Sequence, residues 1–285
     1  MNDSAAANFA AVMAQASRAF APYDSALAKQ YLDVARKSYA FLAGETTAYQ
    51  TNLDPFSTGA YDYNMSSKDN KLWAAAELFE TTGEPGFLAD FEKEAPNATV
   101  TDNFDWDKLA NMGVFTYLMS TRDGRSTDIV GALKAKVLDS ANRIATTADA
   151  SAFGRGISGY YWGSNGAVAR ASLNLATAAL LSPGDAAKYQ DAIAKQLDHL
   201  LGRNFYDRSQ VTMVGYNPPL NIHHRPSVAD RVYFPYPGLL VGGTGGHDNK
   251  ATTWIDEVGD GSSNEVAVNW NAPLVYAAAA LTPAQ

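Results

Sequence analysis

The sequence predicts an all-α fold of stacked helical hairpins. Three observations carry that prediction. Apolar residues recur near helical spacing in nearly every segment outside residues 203–264. Gly83, Gly124, Pro183-Gly184 and Gly202 punctuate those segments, so the turns are short and successive helices pair as antiparallel neighbours. No strand pattern alternates with the helices, which argues against a parallel sheet.

Each element follows from its own signals. Asp3-Ser4 caps a run of Ala, Phe, Val and Met to about Phe20, and Pro22 breaks it. Asp24-Ser25 caps a second helix to about Gly44, with Leu27, Tyr31, Val34, Ala35, Ser38 and Phe41 near helical spacing. Residues 51–68 are rich in Asn, Ser, Thr and Gly and read as a loop. Helices are predicted over 69–82, 84–94, 106–121, 126–148, 163–181, 184–202 and 265–281. Trp73, inside LWAAAEL, reads as core. Residues 203–264 hold little helix and many Gly, Pro and Asn. A structureless stretch of that length inside a compact domain is more often functional than not.

Composition narrows the class. Of 285 residues, 46% are hydrophobic and 18% charged, as in a folded globular protein. The net charge of −8 argues against nucleic acid or an anionic membrane as partner. Aromatic residues reach 11%, which suits stacking on sugar rings as well as a large core. Without cysteine there is no disulfide frame and no thiolate zinc site. No apolar run is long enough to span a bilayer. Residues 1–20 lack the basic leader and apolar block of a signal peptide.

Two stretches carry the chemistry. Ser209–Arg225 reads SQVTMVGYNPPLNIHHR, a polar segment whose Asn217-Pro218-Pro219 cannot continue a helix or a central strand. Residues 262–273 read SSNEVAVNWNAP and place Glu265 just before an apolar run, at the expected mouth of a helix. A carboxyl beside imidazole and guanidinium groups suits glycosidic bond cleavage: the acid protonates the leaving oxygen while His and Arg hold hydroxyls.

The first stretch resembles a signature of glycoside hydrolase family 9, the inverting endoglucanases. Ser209, Val211, Thr212, Gly215, Asn217, Ile222, His223 and Arg225 fall on its defined positions. The second resembles that family's other signature through Trp254, Asp256, Glu265, Ala267, Asn269 and Ala272, but Gly261 stands where an aromatic is expected. The resemblance runs the length of the chain. It implies an (α/α) toroid of six hairpins. About nine of twelve helices are found, so residues 1–285 are expected to be the C-terminal part of one catalytic domain. The implied activity is endo-acting hydrolysis of β-1,4-glucan with inversion, by a secreted enzyme. The Asp-Ala-Gly-Asp segment that supplies the family's general base does not occur. A silent glucan-binding fragment, self-association, or completion by another chain or N-terminal piece are therefore the alternatives.

The resemblance also implies roles. Glu265 is the general acid, with Trp254 and Trp270 as apolar walls. His223 and Arg225 bind sugar hydroxyls, and His224 points the other way. Trp162 and Trp106 stack on the glucan, Trp270 belongs to the substrate-binding set, and Asp256 and Asp260 shape the acid's surroundings. His247 reads as surface. Ser66, Asp69, Asn70 and Asp107 resemble a structural calcium loop, with Asn70 where a second acid is more usual; the alternative for Asp69 is a helix cap.

Overall fold

The computed structural model describes residues 3–43 and 67–282. They form two compact units, Met1–Val100 with Trp106–Lys136, and Thr101–Asp105 with Val137–Gln285. The helices are α1 (Asp3–Phe20), α2 (Ser25–Ala43), α3 (Lys68–Thr82), α4 (Pro85–Glu94), α5 (Ala110–Met119), α6 (Thr127–Ala150), α7 (Ser164–Leu181), α8 (Ala186–Leu201), α9 (Arg225–Ala229) and α10 (Val268–Ala280). No strand longer than an isolated bridge occurs among the described residues. The all-α class predicted from sequence therefore holds, and each predicted helix has its counterpart.

In the first unit, small side chains let helices approach closely. Ala6, Ala7, Ala10, Ala11 and Ala14 line the buried face of α1, which packs with Trp73, Ala74 and Leu42. Asp24 begins α2 by accepting the Leu27 N–H at 2.9 Å. Gly83, in the left-handed conformation, ends α3 with its N–H on Phe79 O, and Pro85 opens α4 where its missing N–H costs nothing. One charged group is buried beside this apolar packing. Glu77 is fully buried and accepts from Arg18, from Gln15 at 2.7 Å, from Trp73 Nε1 at 2.9 Å and from Thr116 at 2.7 Å. These bonds tie α1, α3 and α5 together through one carboxylate.

In the second unit, α7 is buried along most of its length and packs between α8 and α10. Val168, Ala169, Leu200, Val211, Leu240 and Trp270 form its core. Burial, and then the nearby Arg155 guanidinium, pushes His199 on α8 down to about 3, so it is a neutral core group. Between Gly202 and α10 the chain is irregular apart from the short α9. Three bridges pin it: Val211 with Leu240, His223 with Glu265, and Val241 with Val266.

Two boundaries differ from the sequence expectation. The helix expected from 106 starts at Ala110, because the Leu109 N–H is taken by the Asp69 carboxylate at 2.7 Å. The helix expected from 265 starts at Val268, because Glu265 and Val266 are held extended by their bridges. The five-residue α9, opened by Pro226, was not anticipated.

Candidate active site

The site lies in the second unit and is built on paired backbone. His223 N–H donates to Asn264 O at 2.9 Å, and Gly242 N–H donates to Glu265 O at 2.9 Å. Glu265 therefore stands between two extended segments, three residues ahead of α10, and not at a helix mouth as expected. Its orientation comes from strand-like pairing, not from a helix dipole.

Trp162 fixes the carboxyl. Its Nε1–H is shared between Glu265 Oε2 and Gly261 O, both at 3.1 Å. Trp162 is 46% exposed, so part of the residue stays accessible to a ligand. Beneath it lies Trp270, edge-on at 5.1 Å between ring centroids. Trp270 is only 1% exposed, which corrects the expectation that it contacts substrate. The start of α7 crosses directly over it: a Cβ on Gly166 would lie 2.2 Å from Trp270 Cδ1. Trp270 is thus the floor that sets the height of Trp162. Trp254 is also core, clustered with Ile222 and Val241 and covered by the Arg208 guanidinium at 4.6 Å.

His223 is exposed and its ring is fixed. Nδ1 lies 2.6 Å from Val258 O, and a carbonyl can only accept, so Nδ1 carries the proton. In the neutral ring Nε2 is then the free acceptor. His224 turns the other way, with Nδ1 at 2.9 Å from Ser227 Oγ and its ring edge-on to Tyr236. Arg225 is exposed at the start of α9 and makes no ion pair among the described residues.

Asp256 and Asp260 are both spent on holding loops. Asp256 accepts from the N–H groups of Leu220 at 3.1 Å and Asn221 at 2.9 Å, and from Asn264 Nδ2 at 3.2 Å, with Arg208 at 3.5 Å. Asp260 accepts from Ser263 Oγ and from Ser262 N–H at 3.0 Å, and pairs with His247 Nε2 at 3.0 Å. Burial alone would push the Asp260 carboxyl up, but the Ser263, His247 and Ser262 bonds together hold it below its ordinary value. His247 is exposed, as expected, and is also a partner of this loop.

Sequence reasoning also missed Asn271. Its Oδ1 accepts Leu240 N–H at 2.8 Å and its Nδ2 donates to Ala267 O at 2.9 Å, tying the start of α10 to the bridge at Leu240. Asn269, taken from the motif instead, faces Asp105 at 3.0 Å. A side-chain amide that mimics backbone pairing leaves no periodic trace, so spacing alone does not reveal it.

Two expected groups lie in the first unit. Trp106 is there and is 41% exposed. Of the calcium set, Ser66 lies outside the described residues. Asp69 sits in the first turn of α3 and does not cap it; Ser67 holds the cap position. Its two oxygens accept Asn70 N–H at 3.0 Å and Leu109 N–H at 2.7 Å, which brings it to the turn following Asp107. Each Asp69 oxygen keeps a further lone pair that could meet a cation. Asn70 donates to Asn8 Oδ1 at 2.8 Å. Among the described residues no group of three or more His, Asp or Glu gathers as a metal site.

Comparison with known proteins bears on the whole chain. The family model Glycosyl hydrolase family 9 matches residues 2–278. Endoglucanase D of Acetivibrio thermocellus is 41% identical over 283 residues, covering 98% of this chain and 44% of that protein. A xyloglucan-specific endo-beta-1,4-glucanase of Bacteroides ovatus is 31% identical, covering 97% of this chain and 51% of that protein. Among solved structures, a metagenome-derived glycoside hydrolase family 9 endoglucanase superposes with a TM-score of 0.88 at 31% identity, over 98% of this chain and 52% of that one. A thermostable endoglucanase of Alicyclobacillus acidocaldarius does so with a TM-score of 0.86 at 30% identity, over all of this chain and 56% of that one. The chain thus spans about half the length of these relatives.

Proposed function

The chain belongs to glycosyl hydrolase family 9, and from that premise we propose that it carries the proton-donating and glucan-binding part of an endo-β-1,4-glucanase that inverts the anomeric centre. The observation that supports this most is the single cluster of Glu265, Trp162 and His223. Trp162 donates to Oε2 of Glu265, which leaves Oε1 to carry the proton and deliver it to the leaving glycosidic oxygen. The exposed part of Trp162 stacks on a pyranose ring. His223 Nε2 accepts from a sugar hydroxyl, and the exposed Arg225 offers donors to others. Asp256 and Asp260 keep the loop carrying Glu265 in place.

Inversion also needs an ionised carboxylate, roughly 6.5–9.5 Å from the acid, to activate a water. Asp256 and Asp260 are committed to N–H and O–H donors, so neither is assigned that task. We place the base outside residues 1–285, in keeping with the greater length of the relatives. The mechanism is tested by proton NMR of fresh products from an enzyme containing these residues. The α-anomer of the new reducing end should appear first. A β-anomer appearing first would contradict single displacement.

A polymeric glucan cannot enter a cell intact, so the enzyme acts outside it. No helix of the described residues is long and apolar enough to cross a membrane. We further propose that Asp69, Asn70 and Asp107, with Ser66 and nearby carbonyls, hold a structural calcium ion, which takes about six to eight oxygens. Chelation should then lower the melting temperature and calcium should restore it, because a ligand of the folded state stabilises by mass action. Asp69→Ala should remove the difference between the two curves. Identical melting of the wild-type chain with and without chelator would dispose of the site.

A further inference from the structure

Gly261 occupies the point where the three groups of the candidate site meet. Its carbonyl accepts the Trp162 indole N–H at 3.1 Å. Its neighbouring ring is His223, whose Cδ2 and Nε2 would each lie 3.7 Å from a Cβ built on Gly261. No atom outside its chain neighbours comes nearer to that position, and 3.7 Å is ordinary van der Waals contact. Gly261 is also not among the glycines of positive φ, so its backbone conformation is open to any L residue.

Neither reason that usually demands glycine therefore applies here. Other glycines of this unit show the contrast: Gly166 lies against Trp270, and Gly245 has a φ of 98°. What the missing side chain does at 261 is leave space. That space adjoins Nε2 of His223, the ring nitrogen free to meet a sugar hydroxyl, and it lies beside the indole that fixes Glu265. A side chain there would stand against the His223 ring and close this wall of the site.

We infer that Gly261 determines specificity, opening the site to β-1,4-glucan whose backbone glucose carries a substituent, with the substituent seated over residue 261. A substituted glucose needs room to the side of its ring while the ring itself stays stacked. The exposed part of Trp162 provides the second requirement, and the bare backbone of Gly261 provides the first. The inference rests on the reading of this site as glucan-binding and names the class of glucan.

The test is calorimetric titration of the full chain, which reads binding and needs no turnover. The probes are cellotetraose and a four-glucose backbone bearing α-1,6-linked pentose branches. The wild-type chain should bind the branched probe at least as tightly as the plain one. Gly261→Tyr should weaken the branched probe at least about tenfold more than the plain one, as expected when one steric group fills a pocket. Gly261→Ala should fall between. Retained affinity for cellotetraose also reports that the variant is folded. Equal weakening of both probes, no weakening of either, or a wild-type preference for the plain probe would overturn the assignment. A wild-type chain that binds neither would overturn the glucan reading itself, and this inference with it.

Discussion

Glu265→Gln is expected to remove hydrolysis of unactivated β-1,4-glucan while leaving glucan binding almost unchanged. The amide keeps an acceptor for the Trp162 N–H that now meets Oε2, so the local geometry should survive. What it loses is the transferable proton. General acid catalysis contributes about 10²–10⁴-fold, so the variant should retain less than about a hundredth of the rate in an enzyme containing these residues. The loss should shrink on an aryl cellobioside with a strongly acidic leaving group, because that departure needs no protonation. A variant that keeps more of its rate on cellulose, or loses as much on the aryl substrate, would show that Glu265 acts in some other way.

The second large effect is on stability. Glu77→Ala should cost about 3–5 kcal/mol, the usual consequence of breaking a buried ion pair and stranding its partners. Four groups converge on this carboxylate: Arg18, Gln15, Trp73 and Thr116. Removing it leaves the indole N–H of a buried tryptophan without its acceptor, while the Arg18 guanidinium keeps only the backbone Glu77 O and Thr81 Oγ1. Glu77→Gln should cost less, since the amide oxygen still accepts while the charge is lost. Urea unfolding monitored by circular dichroism reads both. An alanine variant within about 1 kcal/mol of wild type would mean that water replaces the carboxylate without strain.

The hairpin helices were legible because their signals are local. Apolar spacing, Pro85 at the start of α4 and Gly83 at the end of α3 each act within a few residues. The candidate site was only half legible. Glu265, His223 and Arg225 stood out because acid, imidazole and guanidinium in turn-rich segments have little packing purpose. The pairing of His223 with Glu265 joins residues 42 positions apart through backbone alone, and no side-chain pattern encodes it. That is why Glu265 was expected on a helix: Val266, Ala267 and Trp270 continue the apolar spacing of α10 toward it. Trp270 was expected at the substrate for a similar reason, since a tryptophan near an acid reads the same whether it is floor or platform. The distinguishing signal lies in Gly163 and Gly166, whose missing side chains admit the buried indole. Asp256 and Asp260 were expected to shape the acid's surroundings, but their partners, a mixture of backbone N–H groups and distant side chains, leave no sequence pattern.

The central claim is that Trp162, His223 and Glu265 form one glucan-binding surface with the acid at its edge. Titration of the full chain with cellotetraose tests it most directly, comparing wild type, Trp162→Ala, Trp162→Phe and Glu265→Gln. Loss of the indole should weaken binding about tenfold or more, about 1.4 kcal/mol for each decade. Phenylalanine should recover part of that loss by stacking without the N–H, and Glu265→Gln should match wild type. Unchanged affinity in Trp162→Ala, with the wild-type chain binding normally, would contradict the account.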